Sequence, residues 1–492
     1  MQGRRAKSFR LIEAAVHFTQ KPTQQSDSQS SDSIRFSLNH LATNDSTWVT
    51  VLIGKNGIGK SRFLASIAET FFQLTTEKKY PSRSKTETIL KYLSDENLVE
   101  VIARNGKLQT TVNGVKTEKL YSVPSPKKVI ALTTTPFDKF RISNWSGDEF
   151  FGADSTCYEY LGLRDRTGRA SSLAPISKAV EGLFSASARD TNSLKRIAGI
   201  FSFLGFKPEI EIGYRFRPPI ITALASGNRE LIKKTLEQYS RRYDKDTDIE
   251  LVSAAAETLL THTAENNHIS LYANFDLSES ESDLYFLLAP LRRLRFLHIE
   301  NVTVTRQDGV KVDLQSASSG EVSLVTAFLG LAGVIEDGSL ILIDEPEISL
   351  HPEWQTGYID LLLKTFSDYN NCHYIIATHS PLILSDIDAN TSNIVAMEKN
   401  ASSYIESVDI SGKSSDHILA TAFETPGKNN LYLKQEIIKA LRLAANGKVQ
   451  SEEFQETVDW LVTLLPKLEE QSSVSQVILN LQEVANEVED SQ

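Results

Sequence analysis

The chain has little of what staples small secreted domains or marks membrane spans. Only two of its 492 residues are cysteine, Cys157 and Cys372. A lone, widely separated pair excludes a disulfide framework and a metal-spaced cluster. No apolar run approaches the roughly 20 residues a membrane span needs. The start, Met1–Arg5, is not followed by an apolar segment, so no secretory leader is expected. A cytoplasmic location with no membrane partner is the expectation. Acid exceeds base, with 63 Asp and Glu against 52 Lys and Arg and a net charge of −11. That balance argues against wholesale coating of nucleic acid and leaves local basic surfaces open.

What is present begins at Gly54-Lys55-Asn56-Gly57-Ile58-Gly59-Lys60-Ser61. The stretch follows the apolar run Trp48–Ile53 and opens a helical pattern at Arg62, Phe63, Leu64 and Ile67. Strand, glycine loop and helix is the context in which backbone N–H groups cradle phosphate. Glycines let the chain turn where a Cβ would obstruct it, and the helix N-terminus adds partial positive charge. Lys60 is placed to reach the β- and γ-phosphates and Ser61 to ligate Mg²⁺. Residues 54–62 are therefore the candidate ATP-binding set.

Three later segments extend the site. Leu340–Ile343 is an apolar run ending in Asp344-Glu345, which reads as a buried parallel strand with carboxylates at its ligand-facing edge. Asp344 is a candidate metal ligand and Glu345 a candidate base for the attacking water. Ser318-Ser319-Gly320-Glu321 precedes an apolar helical stretch; it is an N-cap and equally a group of N–H donors aimed at an anion. Tyr374–Thr378 is another buried strand, followed by His379, one helix-length beyond the Asp-Glu strand and thus on its neighbour. Lys60, Glu345 and His379 are the candidate catalytic residues.

In this order the motifs resemble the ATP-binding-cassette superclass of AAA ATPases, in the branch with SMC proteins, recombination-repair ATPases and overcoming-lysogenization-defect (OLD) ATPases. The resemblance implies that residues 54–61 are the Walker A loop and residues 318–321 the cassette signature, with Ser319 where many members have Gly. It implies that Asp344-Glu345 are Walker B plus the catalytic glutamate, and that His379 is the switch histidine. Glu347–Pro352 resembles the loop after Walker B in the soluble branch. A narrower resemblance lies in Thr133–Phe140 and Tyr158–Arg164, which look like PtuA, the ATPase subunit of Septu-type antiphage systems that also occurs in certain retron systems. It implies a separate HNH-type nuclease partner, PtuB-like. The cassette resemblance further implies a homodimer with two composite ATP sites, the signature of one copy closing on the nucleotide of the other, with higher oligomers of dimers a further implication.

The expected fold is α/β: a P-loop ATPase with a mixed β-sheet core, a helical insertion lobe and a helical C-terminal tail. The expected units are residues 1–145, the N-terminal half of the ATPase; 146–289, a helical insertion; 290–400, the C-terminal half; and 401–492, a helical docking or oligomerisation region or a packing element. Residues 20–33 read as a polar loop, and 88–123 as a small β-meander. The insertion lacks the long heptads of an SMC coiled coil. Arginines gather at 164, 166 and 169, at 215 and 217, at 241 and 242, and at 292, 293 and 295; each group is a phosphate contact for nucleic acid or a salt-bridged face. A TOPRIM-type nuclease does not fit in about ninety mainly helical residues, so no nuclease site is expected. The leading function is an ATPase regulator of an antiphage complex controlling a nuclease in trans. The alternatives are a DNA-clamping repair ATPase and an OLD-type ATPase acting with another nuclease.

Overall fold

A computed structural model describes residues 7–18, 32–37, 46–76, 86–142, 157–165, 168–187, 191–243, 248–262, 268–276, 279–398, 401–427, 429–468 and 473–489. Most of the expected polar loop at 20–33 lies outside them. The fold is mixed α/β, built on three sheets. The central sheet has seven strands in the order Ala401–Ile405, Ser392–Glu398, Trp48–Gly54, His373–Ala377, Leu340–Asp344, Val129–Thr133 and Tyr158–Leu161. Neighbours pair in parallel except at the Ala401–Ile405 edge, which is antiparallel. Among the described residues no helix is long and apolar enough to cross a membrane.

The central strands are apolar throughout because both faces are covered. Alternation then divides each strand between two cores. Leu340 and Leu342, with Leu52, Val129, Ile375 and Val395, face the helix Lys60–Thr75 and the first antiparallel sheet. Ile341 and Ile343, with Val51, Ile130 and Ile376, face the opposite side, where Leu324, Phe328 and Leu331 of the helix Ser319–Val334 pack. The first antiparallel sheet has six strands and contains Phe9–Phe18 and the meander of strands from Thr86 to Thr117.

The segment expected to be a helical insertion is only partly helical. It supplies helices such as Leu173–Ser187 and Thr191–Phe203, but also Tyr158–Leu161 of the central sheet and the strands Phe206–Phe216 and His268–Asn274, which join Leu297–Arg306 from the expected C-terminal half in a five-stranded antiparallel sheet. The physical cause is a period-two pattern inside a helix-rich stretch: Ile210, Ile212, Tyr214 and Phe216 are all buried while Arg215 is exposed. The helix Leu173–Ser187 crosses Ser319–Val334 at backbone contact. A Cβ on Gly333 would lie 2.1 Å from the Gly182 Cα. The tail begins with the strand Ala401–Ile405, and its helices Leu431–Ala445, Glu452–Leu464 and Ser473–Glu489 enclose a separate core around Phe454, Leu461 and Ile478.

A buried polar chain ties the first sheet to the central one. The Leu11 N–H donates to His373 Nδ1 at 3.1 Å, which leaves the Nε2 proton for Thr50 Oγ1 at 2.9 Å. Thr50 donates to Asn393 Oδ1 at 2.9 Å, and Trp48 Nε1 donates to the same oxygen at 2.7 Å. Burial, and then the nearby Arg10, hold His373 well below its ordinary 6.5. The unfolded chain therefore takes up a proton that the folded one refuses. Stability from this group is complete above about pH 6.5 and is lost as pH falls below it. Denaturant titrations at about pH 5.5 and about pH 7.5 should show that loss, and His373→Gln should reduce it while lowering stability by roughly 1–3 kcal/mol at the higher pH. An unchanged pH dependence in the variant would assign the linkage to another group.

Candidate functional site

The site lies at the C-terminal edge of the central parallel strands. After Trp48–Gly54 the chain turns through Gly57 and Gly59, whose φ values of 80° and 108° are left-handed. Gly54 comes close to the neighbouring strand, where a Cβ would sit 2.7 Å from the Met397 carbonyl oxygen. Lys55, Asn56 and Gly57 are exposed, Ile58 and Gly59 half-buried. The helix Lys60–Thr75 starts directly behind them without a side-chain cap, so its first N–H groups remain directed at the loop. Arg62 is exposed on the first turn.

Lys60 is 4% exposed and folds back into the loop. Its Nζ donates to the Gly54 carbonyl at 2.9 Å and to His379 Nε2 at 2.6 Å. Burial lowers its pKa to about 8, against the upward pull of Glu345, Glu347 and Asp344. His379 is lowered to about 4, by burial first and by Lys60 second. It is thus a neutral acceptor beside a cation.

Asp344 ends its strand 1% exposed, and neither carboxylate oxygen receives a hydrogen bond of ordinary geometry. Burial raises its pKa to about 7; Ser61 faces it and pulls the other way, while Glu345 adds to the rise. A buried carboxylate with two free oxygens beside a serine hydroxyl is the donor set that a hard divalent cation takes. The residues present therefore fit Mg²⁺.

Glu345 adopts a φ of 50°, unusual for a residue with a Cβ. Two bonds hold it there: its N–H donates to the Ala377 carbonyl at 2.9 Å, and its own carbonyl accepts from Thr134 Oγ1 at 2.9 Å. Its carboxylate lies 3.8 Å from His379 Nε2. Thr134 and Glu347 were not among the sequence candidates. Glu347 accepts the His379 N–H at 2.6 Å, and burial raises its pKa. The signal was available, since Glu347 is two residues past Glu345 in the same acidic turn.

The structure thus brings together Gly54, Lys60, Ser61, Asp344, Glu345 and His379. Ser318–Glu321 stands apart. Ser318 caps the helix Ser319–Val334 in a capping box with Glu321, whose other oxygen meets Arg306 Nη2 at 3.2 Å. Gly320 packs against the Ser349 carbonyl and the Trp354 ring. These partners belong to the loop after Asp344-Glu345 and to the second antiparallel sheet, not to the phosphate loop.

Of the arginine groups, Arg164 is consumed by a buried cluster. It pairs with Asp138, which also accepts from Tyr160 OH at 2.8 Å. Arg215 pairs with Glu300, and Arg292 lies 3.6 Å over the Tyr285 ring. Arg166 and the side chains of Arg241, Arg242 and Arg293 lie outside the described residues.

Parts of the chain are similar in sequence to known proteins. Residues 181–385 match a family model described as "AAA domain, putative AbiEii toxin, Type IV TA system". That span includes the 318–321 turn, Asp344-Glu345 and His379, and begins after the phosphate loop. The chain is 27% identical over 221 residues to "Retron Ec83 probable ATPase" of Escherichia coli, covering 42% of this chain and 36% of that one. It is 31% identical over 100 residues to "Retron Vc95 probable ATPase" of Vibrio cholerae serotype O1 biovar El Tor, covering 18% and 19%. The match thus spans about a third of the first relative's length and less of the second. Among solved structures, the SMC head domain from Thermotoga maritima aligns over 81% of this chain and 98% of its own, at 10% identity and a TM-score of 0.34. A score of that size describes partial overlap alone.

Ionisation of Asp344 opposes folding because burial raises its pKa. Its contribution to stability is complete below about pH 3.9 and is lost as pH rises through its folded value of about 7. Asp344→Asn should therefore raise the thermal midpoint by a few degrees at about pH 8. It should also abolish the added stabilisation by Mg²⁺ with nucleotide. A variant stabilised by Mg²⁺ and ATP as strongly as its parent would remove Asp344 from the metal site.

Proposed function

We propose that this chain binds ATP with Mg²⁺ and hydrolyses it as the regulatory subunit of an antiphage defence complex. The observation that carries the reading is the buried Asp344, without a hydrogen bond of ordinary geometry, facing Ser61 and within the field of Lys60 at the mouth of a glycine loop. Phosphate would satisfy Lys60 and the loop N–H groups, releasing Lys60 from Gly54 and His379. Mg²⁺ bound by Asp344 and Ser61 would supply charge neutralisation at the phosphates. Glu345, half-buried and held in place through its backbone, would take the proton of the attacking water. Neutral His379 would then be free to donate toward the γ-phosphate oxygens.

Two copies would share each nucleotide. The reasoning is geometric: the Ser318–Glu321 turn packs on the loop after Glu345 rather than on its own phosphate loop, and it opens a 16-residue helix whose N-terminal end favours an anion. A second copy related by a two-fold axis would bring that turn onto the γ-phosphate. Similarity to proteins named as retron ATPases supports the defence setting. An HNH-type, PtuB-like nuclease is the proposed partner, with the helical unit from Leu431 to Glu489 as its docking element or as a contact between dimers. Cys157 and Cys372, buried thiols outside any disulfide, fit a reducing, cytoplasmic compartment.

Glu345→Gln should keep nucleotide affinity and accumulate an ATP-bound dimer, seen by light scattering, with hydrolysis down by about 10²-fold or more. Wild-type turnover in that variant would end Glu345's role as base. Lys60→Ala should abolish triphosphate binding. Mixed with Ser318→Arg, it should regain part of the activity, because one composite site then has both intact halves. Absence of any rescue would mean that each chain completes its own site.

A further inference from the structure

The stretch Thr133–Phe140 leaves the central sheet at the end of the strand Val129–Thr133. Side chains of the loop itself meet several of its N–H groups. Thr133 Oγ1 accepts from the Thr135 N–H at 3.3 Å, Thr135 Oγ1 from the Phe137 N–H at 3.2 Å, and Asp138 Oδ1 from the Phe140 N–H at 2.9 Å. Pro136, between them, has no N–H to satisfy. Asp138 is buried and held from outside the loop. Tyr160 OH donates to it at 2.8 Å and Arg164 Nε at 3.0 Å. Phe140, at the far end, is fully packed. Successive local turns of this kind, pinned at both ends, make the loop a rigid bracket.

The bracket carries one side chain to the site. Thr134 Oγ1 donates to the Glu345 carbonyl at 2.9 Å, while the Glu345 N–H donates to the Ala377 carbonyl at 2.9 Å. The two peptide groups flanking the Glu345 Cα are thus tied to opposite sides of the strand Leu340–Asp344. Between these ties Glu345 is left-handed, with a φ of 50°, a conformation that a residue with a Cβ holds only when its surroundings impose it. Continued extension past Asp344 would turn residue 345 to the opposite face of the sheet. The left-handed turn instead leaves its carboxylate 3.8 Å from His379 Nε2 and within the field of Lys60. The hydroxyl of Thr134 is the chemical requirement, since a methyl group in its place has nothing to donate.

We propose that Thr134 is a positioning residue for ATP hydrolysis: its hydroxyl keeps Glu345 in the backbone conformation that aims the carboxylate at the attacking water. The proposal rests on the reading of Glu345 as the base. Thr134 acts through Glu345 and not on nucleotide or metal, so it contributes to turnover and not to binding.

The test measures ATP turnover by the full-length protein with Mg²⁺ in two variants. Thr134→Val keeps the shape and removes the donor; Thr134→Ser keeps the donor. Thr134→Val should lower kcat about tenfold, the scale of one lost hydrogen bond, with KM changed by less than about threefold. Thr134→Ser should restore most of that rate. In the Glu345→Gln background, single-turnover hydrolysis should fall no further when Thr134→Val is added, because the positioned group is gone. Thermal midpoints report whether the variants fold, and Thr134→Ala takes the place of Thr134→Val should the latter not fold. The proposal is overturned if the folded variant keeps the parent's kcat, if KM rises while kcat holds, if Thr134→Ser is as slow as Thr134→Val, or if Thr134→Val slows the Glu345→Gln protein by the factor it slows the parent. Parental turnover in Glu345→Gln alone would remove the base and this proposal together. A slow Glu345→Gln beside a normal Thr134→Val would sink only the proposal and leave Glu345 its role.

Discussion

Asp344 closes an otherwise apolar strand with a carboxylate that has no hydrogen bond of ordinary geometry and almost no solvent. Water is the usual compensation for a charge, and here it is excluded by burial. Lys60 offers charge of the opposite sign, but its ammonium is engaged with Gly54 and His379 instead. Both groups are consequently driven toward neutrality, the acid to about 7 and the base to about 8. Only a ligand that is cationic toward Asp344 and anionic toward Lys60 restores both charges together, and a metal–polyphosphate complex has that polarity. Binding of such a ligand would relieve the burial cost that shifts both groups.

Holding such a pair demands a rigid frame, and the frame is the division of the central strands between two cores. A slip of one residue in Leu340–Asp344 would exchange Leu340 and Leu342 with Ile341 and Ile343 and aim Asp344 away from Lys60. The register is fixed on both sides, against Val129–Thr133 and against His373–Ala377. The latter strand is itself pinned by His373 to Leu11 and Thr50. The buried polar chain therefore does for the sheet what apolar packing alone does not: it permits one register and penalises its neighbours with unmet hydrogen bonds.

Much of this was legible in the sequence because the relevant signals are local. A glycine loop between an apolar run and a helix declares itself within about twenty residues, and the same holds for apolar strands ending in Asp344-Glu345 and in His379. The capping box at Ser318 and Glu321 is likewise a four-residue pattern. What escaped was non-local or disguised. The strand Phe206–Phe216 carries clear alternation, but helices surround it and its partners His268–Asn274 and Leu297–Arg306 are distant in sequence. Thr134 acquires its role only by meeting Glu345 across neighbouring strands. The Asp138, Tyr160 and Arg164 cluster turned an apparent basic patch into a buried, neutralised corner.

The same contrast bears on how the proposed dimer would work. The Ser319–Val334 helix is fixed at its base by the contact of Gly333 with Gly182, where no side chain intervenes. Its start is fixed by Gly320 against the loop that follows Glu345. A helix clamped at both ends moves as a body rather than by bending. Any displacement of Glu345 and its loop on nucleotide turnover would then pass directly to the Ser318–Glu321 turn. In the proposed two-fold assembly that turn would abut the partner's phosphate, so loss of the γ-phosphate in one site would loosen the frame that presents the other.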